Sequence, residues 1–218
     1  MMPRIFRKEA EQYFRKQMEL LTSAGFDALG IGSMEEPGFL REAGIELPMY
    51  FDQGMYSWNH LAGAAMERYG ADRLTIPVEL NEREIRDSGV QGEMIVYGYL
   101  PMMISAQCIR KTTLGCSGKS EIMWLKDRKD MRFPVVNQCR FCYNTIYNSA
   151  PLSLLGLSEQ VTGLKPNAVR LNFTVEEPAA AGEILDAFFE EYGMSEKAAE
   201  PPVLRNQFTR GHFKRGVE

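Results

Sequence analysis

All four cysteines of the chain fall between Cys108 and Cys142, and no other feature restricts the fold as tightly. Seven residues separate Cys108 from Cys116, twenty-two separate Cys116 from Cys139, and two separate Cys139 from Cys142. Four thiols within 35 positions, closed by a C-x-x-C pair, suit a tetrahedral or cuboidal metal site, because thiolates bring concentrated negative charge to soft metals such as iron and zinc. Structural zinc sites usually come as two short knuckles, and only the 139–142 pair matches one. Iron–sulfur ligation accommodates uneven gaps better, so the spacing favours a cluster and keeps zinc as the alternative. The same thiols also allow two disulfides, in three pairings, or inert burial as small apolar residues. Disulfides need an oxidising compartment, and the opening MMPRIFRKEAEQYFRKQ is charged and amphipathic, without the apolar core and small-residue cleavage site of an export signal. The expected location is the cytoplasm.

Charge is distributed unevenly. The whole chain carries −4, yet residues 108–142 hold eight Lys and Arg against Glu121, Asp127 and Asp130, an excess of five positive charges. Positive surroundings favour thiolate over thiol and attract anionic ligands. Lys126 and Arg128, in the middle of this stretch, are therefore candidate substrate-binding residues. The overall acidity gives no whole-protein signal for nucleic acid, so any such contact must use local patches.

Ahead of the cysteines the pattern repeats. A helical stripe over 5–24 (Phe6, Ala10, Tyr13, Phe14, Met18, Leu21) stops at Gly25, and FDALGIG then reads as a buried strand. A short helix from Glu35 closes at Gly44 before the strand LPMYFDQ. A third, from Tyr56 to Tyr69, closes at Gly70 before RLTIPVEL. The charged turn NEREIRDSG precedes the strand MIVYGYL. A helix ending in glycine and returning within a few residues to a strand is the αβ loop of a repeating β/α protein. No G-x-G-x-x-G follows the first strand, which disfavours a dinucleotide-binding sheet and leaves a barrel-like arrangement ahead.

Past Cys108 the repeat is interrupted. IMWLKD and MRFPVVN, joined by the DRKD turn, read as a β-hairpin flanked by the second and third cysteines. A helix is expected near 152–161, a strand over 169–176, and a final helix through Ile184, Phe188 and Tyr192. Residues 195–202 have linker composition, and the basic tail, with Arg205, Arg210, Lys214 and Arg215, is read as a solvated end. The expected fold class is α/β, a partial TIM-like (β/α) barrel with a cysteine-bearing β-hairpin insertion. The expected divisions are a β/α half-barrel over 1–107, a metal-binding insertion over 108–150, closing barrel elements over 151–194 and a tail over 195–218. No apolar run approaches the roughly 20 residues of a membrane span.

Ligand sites in β/α proteins gather where strands hand over to loops. Ser33, Asp52, Gln53, Glu79, Asn81, Tyr99 and Cys108 land there. Glu79 can orient a substrate or accept a proton, or it can simply cap the following helix. His60 reads as a structural residue. No G-x-S-x-G or H-E-x-x-H motif is present, and His60 and His212 are the only histidines, so no catalytic residue can be named.

PVELNEREI, VYGYLPMMISAQC, KDRKDMRFPVVNQCRFCYNTIYNSAPLSLL and LNFTVE resemble the collagenase-like peptidase family U-32 in its long-chain form, over roughly Asp27 to Tyr192. The resemblance implies a TIM-type barrel and a 4Fe-4S cluster held by Cys108, Cys116, Cys139 and Cys142. It also implies oxygen-independent hydroxylation, in better-understood members of a tRNA uridine, a ribosomal RNA cytidine or the ubiquinone ring, with prephenate as hydroxyl donor in some RNA cases. The expected partners are accordingly RNA or a small anion such as prephenate. The resemblance aligns the start of this chain with about the fourth barrel strand, so the other barrel half, or a partner chain, is expected elsewhere. Peptidase activity, the family's label, is the second reading, and a zinc-binding structural module the third.

Overall fold

The computed structural model describes residues 2–193 and 207–216. Its first segment contains two helices where the sequence predicts one, α1 (Lys8–Arg15) and α2 (Met18–Ser23). The chain leaves helical geometry at Gln17, with φ −99° and ψ 0°. Phe6, Phe14 and Met18, from both sides of the break, still pack against one core.

The glycine-punctuated repeat then appears as expected: β1 (Leu29–Ile31), α3 (Glu35–Glu42), β2 (Met49–Phe51), α4 (His60–Tyr69), β3 (Arg73–Leu74), α5 (Glu82–Ser88) and β4 (Glu93–Gly98). Gly70 shows why glycine ends α4. At φ +115° its N–H bonds back to Met66 and Glu67, a conformation that a Cβ would strain. β1 and β2 run parallel in the register Leu29↔Met49, and β2 and β3 in the register Tyr50↔Arg73. A parallel bridge from Thr75 to Glu93 carries the series on to β4. The predicted strand RLTIPVEL is cut short because Pro77 has no N–H to give a ladder, and Leu80 N–H folds back to Pro77 O instead.

After β4 the chain builds an antiparallel sheet in the order β5-β8-β7-β6 from β5 (Pro101–Ser105), β6 (Ile122–Lys126), β7 (Arg132–Gln138) and β8 (Tyr143–Tyr147), with the short α6 (Ile109–Thr113) after β5. The expected hairpin is β6–β7, in the register Ile122↔Val136. Asp130 adopts φ +64° in its turn, and Asp127 Oδ1 accepts from the N–H groups of Lys129 and Met131. The helix expected from 152 is corrected: Leu152–Ser153 forms β9, antiparallel to β4, and α7 (Ser158–Gly163) starts later. Pairing with Gly98 and Tyr97, distant in sequence, wins over local helical pattern there. β10 (Ala168–Asn172) returns parallel to β4 in the register Ala168↔Glu93, and α8 (Pro178–Glu191) follows.

Two cores result. The first gathers Ile31, Leu40, Phe51 and Leu74 between α1, α3, α4 and strands β1–β3. The second gathers Val96, Leu154, Val161, Ile184 and Phe188 around β4. The architecture is mixed α/β, with parallel and antiparallel sheets, and the strands do not close into a barrel among the described residues.

The solvated tail is also corrected. Thr209 bridges to Leu152, Arg210 Nη1 donates to the carbonyls of Ser153 and Leu155, and Phe213, 3% exposed, enters the second core. Apolar burial of Phe213 outweighs the solvation of the surrounding cations. Arg205 and the linker expected over 195–202 lie outside the described residues.

Candidate functional site

The antiparallel sheet places every cysteine at one of its ends. Cys108 follows β5, Cys116 lies ahead of β6, Cys139 follows β7 and Cys142 precedes β8. Local geometry suits each position. Cys108 is the N-cap of α6, and its sulfur accepts from Lys111 N–H at 3.4 Å. Cys139 opens a 3₁₀ turn through Phe141, and Cys142 closes it in the left-handed region at φ +50°. The two residues between them allow the chain to reverse from β7 into β8, which pair at Gln138↔Tyr143.

Asn137 links two of the sulfurs. Only 1% exposed, it donates from Nδ2 to Cys139 Sγ at 3.4 Å, while Cys108 Sγ lies 3.6 Å from its Oδ1. The Cys139 thiol also donates to Lys119 O at 2.9 Å. Burial pushes the Cys139 thiol above its ordinary pKa, and proximity to Cys116, Cys108 and Cys142 pushes it further. All four cysteines flank the same end of the sheet. Among the described residues, no three His, Cys, Asp or Glu side chains are grouped so as to hold a single metal ion.

An aromatic contact missing from the sequence reading braces this site. Phe141 stacks on Phe14 at 5.9 Å between ring centroids and meets Tyr13 edge-on at 5.8 Å, while Arg140 lies 4.6 Å over the Tyr13 ring. The stripe on α1 was legible as apolar, but its partner, over a hundred residues away, was not. Arg110 pairs with Glu121 and so ties α6 to the start of β6.

Lys126 and Arg128 lie at the hairpin tip, at the opposite end of β6 and β7 from the cysteines. Seven residues of β7 separate the two ends, about 20 Å of extended chain. Lys126 Nζ pairs with Asp130 at 2.6 Å, and Arg128 is exposed. Glu79 is elsewhere again. It lines a cleft of about 200 Å³ at the carboxyl ends of the parallel strands, with Arg4, Gln53, Tyr56 and the β5 residues Met102 and Met103. The cap of α5 is not Glu79 but a capping box, in which Asn81 Oδ1 accepts from Glu84 N–H and Glu84 accepts from Asn81 N–H. Glu79 Oε2 and Gln53 Oε1 are instead buried at this cleft without hydrogen-bond partners among the described residues.

The remaining strand-end positions divide. Asp52 pairs with Arg170 on β10, Ser33 lies beside the buried Glu36, and Tyr99 faces a second cleft. His60 opens α4 behind the N-cap Asn59, and His212 Nδ1 bonds Gly216 O at 2.7 Å. No helix among the described residues is long and apolar enough to cross a membrane.

A family model described as "Peptidase family U32" matches residues 3–183. No curated protein and no solved structure matches the chain.

Proposed function

Because the chain belongs to peptidase family U32, we propose that it is an iron–sulfur-dependent, hydroxylase-like member of that family, acting in RNA modification, and that its parallel strands are part of a TIM-like barrel wall. The observation that carries this reading is that all four cysteines sit at one end of the antiparallel sheet, with Asn137 joining Cys108 to Cys139. The donor set fits a 4Fe-4S cluster. Cys108, Cys116, Cys139 and Cys142 would each hold one iron, and four thiolates around a cube stand farther apart than four around one zinc ion. The spread of the cysteines over one end of the sheet, two of them joined through Asn137, leaves room for such a cube. Bound there, the cluster supplies one-electron transfer.

The chain's own groups prepare that chemistry. Lys111 N–H and the Asn137 amide donate to sulfur and so stabilise thiolate charge. Tyr13 and Phe14 pack against Phe141 within the Cys139–Cys142 turn and so brace it. Lys111, Lys119 and Arg140, the part of the positive excess at the cysteine end, would draw an anion, either RNA phosphate or a small carboxylate such as prephenate. Glu79, with one buried oxygen free of hydrogen-bond partners among the described residues, would accept a hydrogen bond or a proton from a substrate in its cleft.

The test begins with protein prepared without oxygen, expected to be brown and to carry about four irons and four sulfides per chain. Cys139→Ser should lose them. A colourless protein with one zinc per chain would overturn the cluster. Mass spectrometry of RNA nucleosides from a host lacking the gene should then show one missing hydroxyl group, restored by the parent protein and not by its Cys108→Ser variant. Unchanged nucleosides together with cleavage of a peptide would replace the hydroxylase reading with a peptidase.

A further inference from the structure

A second cleft, of about 230 Å³, opens where β4 and β10 end and α8 begins. Tyr97, Tyr99, Trp124 and Phe208 form its aromatic walls. Glu176, Glu177 and Glu183 supply its charge, and no Lys or Arg lines it among the described residues. A neighbouring cation, Arg210, stacks 4.7 Å from the outer ring, Phe208, and is committed to the carbonyls of Ser153 and Leu155.

The carboxylates are not all consumed by the fold. Glu176 Oε2 accepts from the N–H groups of Thr174 at 2.6 Å and Val175 at 2.9 Å, but Oε1 is buried without a hydrogen-bond partner among the described residues. The phenols of Tyr97 and Tyr99 are pushed upward by burial and then by Glu176, beside which the Tyr97 hydroxyl lies, so they stay neutral and offer their ring faces. Trp124 is 56% exposed and Phe208 40%, so apolar surface is left in water beside unneutralised charge. Rings with negative faces and several carboxylates around one cavity complement a cation whose charge is spread over N–H and C–H groups. A bare divalent ion would gain nothing from the rings.

We propose that this cleft binds a monovalent organic cation, an alkylammonium or guanidinium head seated between the Glu176 and Glu183 carboxylates and the rings of Trp124 and Phe208. The site is separate from the cysteines and opposite in charge to the segment that carries them. It stands or falls independently of the iron–sulfur reading.

The chain contains two tryptophans, so Trp58→Phe leaves Trp124 as the only indole and its fluorescence as a local readout. Butylguanidinium should change that fluorescence saturably, whereas butylurea, its neutral counterpart, should not. Glu176→Gln should weaken the response about tenfold, the loss expected of one charge-assisted contact. Glu183→Gln, at a side chain that bonds no backbone group among the described residues, should do likewise if the first variant does not fold. An acetylated, amidated tripeptide with a central arginine identifies the source. Tighter binding than butylguanidinium assigns the site to a basic side chain of a polypeptide, and weaker binding to a free small cation. An equal response to butylurea, or undiminished binding in Glu183→Gln, would overturn the proposal.

Discussion

Arg170 Nη2 lies 2.6 Å from Asp52 Oδ1, although β3 and β4 intervene between β10 and the end of β2. Side chains so far apart in strand order meet only if the parallel strands curl toward one another. The guanidinium also holds Glu93 at 3.1 Å, so one cation serves two carboxylates on the concave side. Removing it leaves two facing negative charges, Asp52 being only 11% exposed. Arg170→Met should therefore destabilise the protein by about 2 kcal/mol, toward the low end for breaking a buried pair. Adding Asp52→Asn should recover part of the loss in urea titration. A loss under about 0.5 kcal/mol would mean that the pair does not hold the curvature.

Glu36 offers a pH-dependent counterpart. It is fully buried, and burial pushes its carboxyl up to about 7, against the opposing effect of the Gly32 N–H that it accepts at 3.2 Å. The folded value lies above the unfolded one near 4.5, so the stabilising contribution of the protonated form is complete below that pH and is lost as pH rises through 7. The full span corresponds to about 3 kcal/mol. Glu36→Gln should match the parent near pH 4.5 and exceed it in stability at pH 8. The same difference in urea midpoint at both pH values would contradict this.

Gly98 ends β4 at φ +150°, where a Cβ would lie 2.5 Å from the backbone oxygen of Asn172 on β10. Neither strand can give way without breaking the register Asn172↔Gly98. Gly98→Ala should cost about 3 kcal/mol through strain and a displaced ladder. An unchanged melting temperature would rule out that close approach.

Phe213 carries the tail into the second core, and its carbonyl accepts the N–H of Glu82 at the start of α5. Phe213→Ala should lose about 3 kcal/mol, as for other buried rings cut to a methyl. Phe208→Ala, at a ring 40% exposed, should lose well under half of that. Equal losses would show that the tail docks through something other than this anchor.

The parallel strands were legible because each is announced by a helix stop, a signal contained in a dozen neighbouring residues. The β6–β7 hairpin was legible for the same reason. What escaped were features made by pairing across the chain. Leu152 and Ser153 look helical among their neighbours and become strand only against β4. The tail reads as charged until Phe213 finds its core. The cysteines could be grouped from spacing, but not the Asn137 bridge between two of them or the Phe14–Phe141 stack. The acidic cleft draws on β4, β6, the start of α8 and Phe208, four separated stretches with no shared period. Glu79 was singled out by position alone, and its cleft depends on β5, which no strand-end rule brings there.

The dependence of the second core on Phe213 also sets an order of events during synthesis. Chains emerge amino-terminal end first, and domains begin to pack as they appear. The first core draws on residues 2–90 and can assemble early. The second holds Ile76 and Val96 waiting for Phe213, so the nascent protein passes through a stage with one half packed and the other exposed. The four thiols emerge during that interval, after the first core and before Phe213. Whatever loads them in that interval meets a protein whose second core is still unbuilt.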